Sequence, residues 1–177
     1  MRQRLVFTGF HPPLPSAALP FADTADKMTY RISYPTREKT GIRMSSTFID
    51  KLALIALKDD KVALVRSHNK TLFYMPGGKR EAGETDEQAL CREIDEELTV
   101  TLQPSSIAFY GEFAGPADGK QDGTQVRIRC YQADVTGQLQ PAAEIAELRW
   151  CDSRDLPHCS HVAALILHDL KARNLIK

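Results

Sequence analysis

The chain has 177 residues, of which 42% are hydrophobic and 26% charged, an ordinary composition for one globular domain with a sizeable core. Its 23 basic and 23 acidic residues give a formal net charge of zero, so charge provides no argument for a nucleic-acid or membrane partner. No apolar run approaches the roughly 18 residues that a membrane-spanning helix needs. The four cysteines lack metal-finger or redox-pair spacing, and we expect reduced thiols in a cytoplasmic protein.

The first 43 residues differ in composition from the rest of the chain. They contain five of the ten prolines and seven basic residues against three acidic ones, and they show no sustained apolar period. We therefore predict an N-terminal extension over residues 1–43, partly disordered or loosely docked. A single domain should follow over residues 44–177.

Apolar runs and turn residues predict the first elements of this domain. We expect a buried strand over residues 48–58, a turn at residues 59–61 and a partner strand over residues 62–67. A short strand should precede Pro76, because the residue before a proline favours extended geometry.

A loop and a helix are predicted over residues 78–100. Thr85 is suited to the N-cap, and Gln88 stands where its side chain completes a capping box. Three apolar residues recur at helical spacing and predict a buried stripe: Leu90, Ile94 and Leu98.

Three glutamates share an arc of this helix beside the apolar stripe. Glu93, Glu96 and Glu97 are three and four residues apart, so their like charges oppose helix formation by roughly 0.2–0.5 kcal/mol per pair. A hard cation would relieve this repulsion, since Mg²⁺ and Mn²⁺ prefer carboxylate oxygens. Arg92, four residues before Glu96, is placed to orient or neutralise part of the cluster.

The remainder of the chain predicts three strands and a final helix. The strands cover residues 107–113, 125–135 and 148–151, with loops over 115–123 and 136–143, and the helix runs from Ser160 to about residue 174. Strands before and after one central helix favour an α/β sandwich.

The segment 78–100 resembles the signature motif of the Nudix hydrolases. That motif is a glycine, five residues, a glutamate, seven residues, Arg-Glu, a large aliphatic residue, any residue, Glu-Glu, any residue, a glycine and an aliphatic residue. The matching residues are Gly78, Glu84, Arg92, Glu93, Ile94, Glu96, Glu97 and Val100. Thr99 replaces the second glycine, and because threonine reaches a left-handed conformation only with strain, we expect the chain to leave the helix differently.

The resemblance implies a fold and an activity. The fold is an α/β/α sandwich with a mixed sheet between helices and a loop-helix-loop catalytic motif. The activity is metal-dependent cleavage of the diphosphate bond in a nucleoside diphosphate-linked substrate, by attack of water on phosphorus. Such catalysis depends mainly on positioning and on neutralising charge.

The resemblance also assigns roles to individual residues. It implies Glu93, Glu96 and Glu97 as ligands of Mg²⁺, with Mn²⁺ as the alternative, and Glu84 and Arg92 as their supports. A further glutamate from a later loop is expected as a ligand or general base, with Glu144 the first candidate and Glu147 the second. The candidates for contact with the substrate are Gly77, Gly78, Lys79, Arg127 and Arg129.

The sequence leaves the substrate open. The first expectation is a nucleoside triphosphate, because the Pro76–Lys79 entry is similar to that of MutT-like members. The alternative is ADP-ribose or another ADP-sugar, because Pro116 lies sixteen residues beyond Val100, a spacing associated with the members of the family that hydrolyse ADP-ribose. A non-catalytic, nucleotide-sensing module is the alternative from another class. The expected partner is a small nucleotide rather than nucleic acid or membrane, and the protein is expected to be a monomer or a homodimer.

Overall fold

The structure of the protein is a computed structural model that describes residues 48–177. The predicted extension over residues 1–43 and the domain start at residue 44 lie outside these residues. Neither helix in the described part of the chain is long and apolar enough to cross a membrane.

The described residues form strands and helices in the predicted order. The strands are β1 (Phe48–Leu54), β2 (Leu57–Lys58), β3 (Lys61–Ser67), β4 (Thr101–Leu102), β5 (Ala108–Pro116), β6 (Gln125–Gln132), β7 (Val135–Thr136) and β8 (Ile145–Cys151). The helices are α1 (Asp86–Leu98) and α2 (His161–Ala172), with short 3₁₀ helices at Pro104–Ser106 and Ser153–His158.

The strands form two three-stranded sheets and one small pair. β1 is parallel to β6, which is antiparallel to β5, so this sheet is mixed, as expected. The second sheet, β2-β3-β8, is antiparallel, and β4 pairs with β7.

Two hydrophobic clusters lie on opposite faces of the strands. Along β1, Leu52 and Leu54 join the cluster that contains the α1 stripe, whereas Ala53 joins the cluster that contains α2. Because successive side chains of a strand point to opposite faces, a strand covered on both sides is apolar throughout. The arrangement confirms the predicted α/β/α sandwich.

Several predicted boundaries are wrong. The strand predicted over residues 48–58 is divided at Ile55, whose N–H donates to the Tyr131 carbonyl at 2.8 Å, and the chain then enters the other sheet. The strand predicted over residues 125–135 is likewise divided between β6 and β7, while β5 and β8 are longer than predicted. Phe73 and Tyr74 form only isolated bridges.

The apolar face of α2 also differs slightly from the prediction. Leu165 is 37% exposed, and Leu167 is buried in its place. Val162, Ile166 and Leu170 are buried as expected.

Candidate active site

The loop that precedes α1 is attached to β1 by backbone hydrogen bonds. Leu54 N–H donates to the Pro76 carbonyl at 3.0 Å, and Leu52 N–H donates to the Gly78 carbonyl at 2.8 Å. Gly77 has a φ of 124°, and a Cβ there would lie 2.5 Å from the Leu52 carbonyl oxygen. This position therefore requires glycine, both for its conformation and for its close approach to β1.

Glu97 is a buried carboxylate at the end of α1. Glu97 is only 6% exposed, and its Oε2 accepts a hydrogen bond from Gly77 N–H at 2.7 Å. Burial raises the pKa of Glu97 to about 7, and the negative charges of Glu144 and Glu93 contribute to the rise. The Gly77 hydrogen bond and, more weakly, Lys51 act in the opposite direction on this pKa.

Glu93 lies one helical turn before Glu97 and directly against the loop. A Cβ on Gly78 would overlap the Glu93 carboxylate, so the glycine leaves the space that this group occupies. Arg92 Nη1 donates to Glu93 Oε1 at 3.0 Å. The Glu93 carboxylate is thus held between a glycine backbone and a guanidinium group.

Arg92 links the acidic residues of the motif. Its Nε and Nη2 donate to the two carboxylate oxygens of Glu84 at 2.7 and 2.8 Å, and Nη2 also donates to the Lys79 carbonyl at 3.0 Å. These hydrogen bonds hold the pKa of Glu84 at about 2 and raise that of Arg92. Glu96 is more peripheral: its side chain is 57% exposed and lies 3.7 Å from Arg92 Nη1.

A later loop docks on the end of α1 and carries Glu144. Ala142 N–H donates to the Glu97 carbonyl at 2.9 Å, and Gln140 N–H donates to the Leu98 carbonyl at 3.0 Å. The Glu144 carbonyl accepts from His68 N–H at 3.0 Å. The loop thus brings the Glu144 charge close enough to Glu97 to raise its pKa.

Glu147, the second candidate for the later glutamate, has a different environment on β8. Its carboxylate pairs with Arg66 at 2.8 Å and with Arg149 at 2.7 Å. These two arginines lower its pKa, with the Arg66 hydrogen bond as the largest cause. Both of its oxygens are therefore engaged in ion pairs.

Thr99 adopts the conformation that the family glycine would have. It has φ and ψ of 56° and 33°, in the left-handed region, and its N–H donates to the Asp95 carbonyl at 2.9 Å. The expectation that the chain would leave the helix differently is wrong. The helix end keeps its geometry at the cost of backbone strain in a β-branched residue.

The donor chemistry of these carboxylates fits a hard divalent ion. The charges of Glu93 and Glu144 both act unfavourably on ionised Glu97, which a bound cation would relieve. Within residues 48–177, however, no three Asp, Glu, His or Cys side chains are grouped closely enough to hold a metal ion as they stand.

A cleft of about 180 Å³ opens beside Gly77. Its wall includes Lys51, Tyr74, Pro116, Asp118 and His161. Sequence reasoning missed Lys51, although a lysine inside a strand predicted to be buried was a detectable signal. The Tyr74 hydroxyl donates to the Asp118 carboxylate at the cleft wall.

The predicted substrate-binding arginines are not in this cleft. Arg127 pairs with Asp50 at 2.6 Å, and Arg129 pairs with Asp86 at 2.8 Å. They alternate along β6 with residues that line the cleft, such as Ile128, and so point to the opposite face of the sheet. The Lys79 side chain is exposed, and its carbonyl supports Arg92.

Comparison with known proteins identifies the family. The family model described as the NUDIX domain matches residues 50–170, so the chain belongs to the Nudix family and is a Nudix hydrolase. A protein of Methanocaldococcus jannaschii named ADP-ribose pyrophosphatase is 31% identical over 115 residues, which are 63% of this chain and 66% of that protein. The match thus spans slightly less than two thirds of that relative.

Solved structures agree with this assignment. The Escherichia coli ORF135 protein has a TM-score of 0.58 at 26% identity, covering 75% of this chain and 97% of that one. The MutT Nudix hydrolase of Burkholderia pseudomallei has a TM-score of 0.58 at 22% identity, covering 69% and 97%, a likeness that shows the fold.

Proposed function

We propose that this protein is a divalent-metal-dependent pyrophosphohydrolase that cleaves the diphosphate bond of ADP-ribose or a related ADP-sugar. The observation that carries this choice of substrate is the position of Pro116, which lines the cleft that opens beside Gly77 and the carboxylates. The name of the Methanocaldococcus jannaschii relative supports the same substrate class.

The metal is proposed to be Mg²⁺, with Mn²⁺ as the alternative, bound by Glu93, Glu96 and Glu97. Nudix hydrolases generally need a divalent metal. When bound, the ion would neutralise phosphate oxygens and acidify the attacking water. Gly77 N–H takes one acceptor position of Glu97 Oε2, so the carboxylate keeps acceptor positions for a ligand. Arg92 and Glu84 keep the Glu93 carboxylate in place.

Glu144 is proposed as the general base. It would accept a proton as water attacks phosphorus, and the bond from phosphorus to the bridging oxygen would break, releasing AMP and a sugar phosphate from an ADP-sugar. Two observations favour Glu144 over Glu147: its charge acts on Glu97, and Glu147 is neutralised by Arg66 and Arg149.

A nucleoside triphosphate, cleaved to monophosphate and pyrophosphate, is the second candidate substrate. Its support is the Pro76–Lys79 entry to the motif, which is similar to that of MutT-like members. A non-catalytic sensing module is less favoured, because every carboxylate of the motif is retained. A small nucleotide is the proposed partner in each case.

Hydrolysis of ADP-ribose and of a panel of nucleoside triphosphates with Mg²⁺ tests the proposal. Phosphate is measured after adding alkaline phosphatase, for AMP and ribose phosphate, or inorganic pyrophosphatase, for pyrophosphate. We expect faster turnover of ADP-ribose, near-complete loss in Glu97→Gln and retained activity in Glu87→Gln, a matched change on the exposed face of α1. Faster turnover of a triphosphate would refute the choice of substrate, and full activity of Glu97→Gln would refute the mechanism.

A further inference from the structure

Most cations around the site are already paired with carboxylates. The pairs are Arg80 with Asp86, Arg92 with Glu84, Arg127 with Asp50, Arg129 with Asp86 and Lys70 with Asp118. Lys51 differs, because its ammonium group has no carboxylate within 4.0 Å among residues 48–177. Within the described part of the chain it is therefore a half-buried cation without a carboxylate partner.

Lys51 is also placed where the cleft meets the catalytic motif. It lies in the middle of β1, on the strand face that forms the cleft wall with Ile49 and Ala53, and Gly77 lines the same cleft. The N–H of its neighbour Leu52 donates to the Gly78 carbonyl at 2.8 Å, which fixes the position of Lys51 relative to the motif loop.

The charges on the two sides of this junction are opposite. Glu97 and Glu93 lie on the motif side, against Gly77 and Gly78, whereas Lys51 lies on the cleft wall beside Gly77. A substrate that extends from the carboxylates into the cleft must pass Lys51. Its diphosphate would supply the anionic partner that this half-buried ammonium group lacks among residues 48–177.

We propose that Lys51 is a substrate-binding residue whose ammonium group donates a hydrogen bond to a diphosphate oxygen at the junction of the cleft and the catalytic motif. The inference rests on the proposed function, because it concerns the same site. Lys51 lies outside the Nudix motif, and the proposed contact is the same for an ADP-sugar and for a nucleoside triphosphate, because both contain a diphosphate.

Binding of α,β-methylene-ADP, measured by calorimetry, tests Lys51 separately from turnover. This analogue has a methylene group in place of the bridging oxygen between its two phosphates, so the enzyme cannot hydrolyse it there. With Mg²⁺ present, we expect Lys51→Gln to weaken binding roughly 10–100-fold, the range for a hydrogen bond between charged groups. Lys51→Arg should restore most of the affinity, because it restores the charge. Lys58→Gln, an exposed lysine on β2, is the control, and thermal unfolding verifies that each variant is folded.

Adenosine, which has no phosphate, should bind all four proteins equally. Unchanged affinity of Lys51→Gln for α,β-methylene-ADP would overturn the inference, and so would an equal loss of adenosine affinity or no binding by the unmodified protein. If the analogue binds through Lys51 but neither ADP-ribose nor a triphosphate is hydrolysed, the proposed function fails and the assignment of Lys51 stands.

Discussion

Replacement of Glu97 by glutamine should change how the stability of the metal-free protein depends on pH. The folded-state pKa of Glu97 is about 7, against an ordinary value of 4.5. Because the pKa is raised, its contribution to stability is fully present below pH 4.5 and is lost as the pH rises through 7. Between pH 5 and pH 8 the loss amounts to about 2–3 kcal/mol, at 1.36 kcal/mol per pKa unit.

Glutamine resembles the protonated carboxyl group and does not titrate. The free energy of unfolding of Glu97→Gln minus that of the unmodified protein should therefore rise by about 2–3 kcal/mol from pH 5 to pH 8. Urea unfolding in the presence of a chelator measures this, with the fluorescence of Trp150, the single tryptophan, as the signal.

Glu96→Gln is the matched control, since it makes the same chemical change at a side chain that is 57% exposed. It separates the general effect of removing a carboxylate from the motif from the effect of burial at Glu97. If the difference between Glu97→Gln and the unmodified protein is the same at pH 5 and pH 8, Glu97 is not the desolvated, repelled carboxylate that the structure describes.

Three further substitutions test the motif. Gly78→Ala should reduce kcat by roughly 100-fold with little effect on stability, because the new Cβ displaces the Glu93 carboxylate. Thr99→Gly should raise the free energy of unfolding by about 1 kcal/mol without changing KM, because it relieves the left-handed strain. Arg92→Lys should reduce kcat about tenfold or more, because lysine keeps the charge but loses the two-pronged contact with Glu84. Steady-state kinetics and urea unfolding measure these effects.

Each of these results has a contrary outcome. Normal kcat in Gly78→Ala would mean that the position of the Glu93 carboxylate is not important for turnover. A destabilised Thr99→Gly would indicate that the threonine side chain contributes more than its strain costs. Full activity in Arg92→Lys would show that the two-pronged contact of a guanidinium group with Glu84 is not required for turnover.

The central helix was predictable because its signals are local. Thr85 and Gln88 form the expected capping box, and Leu90, Ile94 and Leu98 are fully buried. The capping box and the apolar stripe both depend on residues a few positions apart in the same helix, so the sequence alone is enough to predict them.

Other features depend on contacts between distant segments. The division of the first predicted strand at Ile55 reflects a hydrogen bond to Tyr131, and a continuous apolar run gives no sign of it. The proximity of Glu144 to Glu97 results from the docking of a loop some forty residues away. The role proposed for Lys51 depends on its place on the cleft wall beside Gly77 and on the ion pairs of the arginines near the site, and both are contacts between distant segments.

The conformation of the loop between β7 and β8 depends on the length of the loop as well as on its sequence. The N–H groups of Gln140 and Ala142 donate to carbonyl groups at the end of α1, and the Glu144 carbonyl accepts from His68 N–H. The segment is therefore attached to two different parts of the domain. One added residue would displace an extended chain by about 3.3 Å and change which amide meets which carbonyl. Insertions and deletions that most surface loops tolerate should therefore be harmful here, and a loop transplanted from a relative should match it residue for residue.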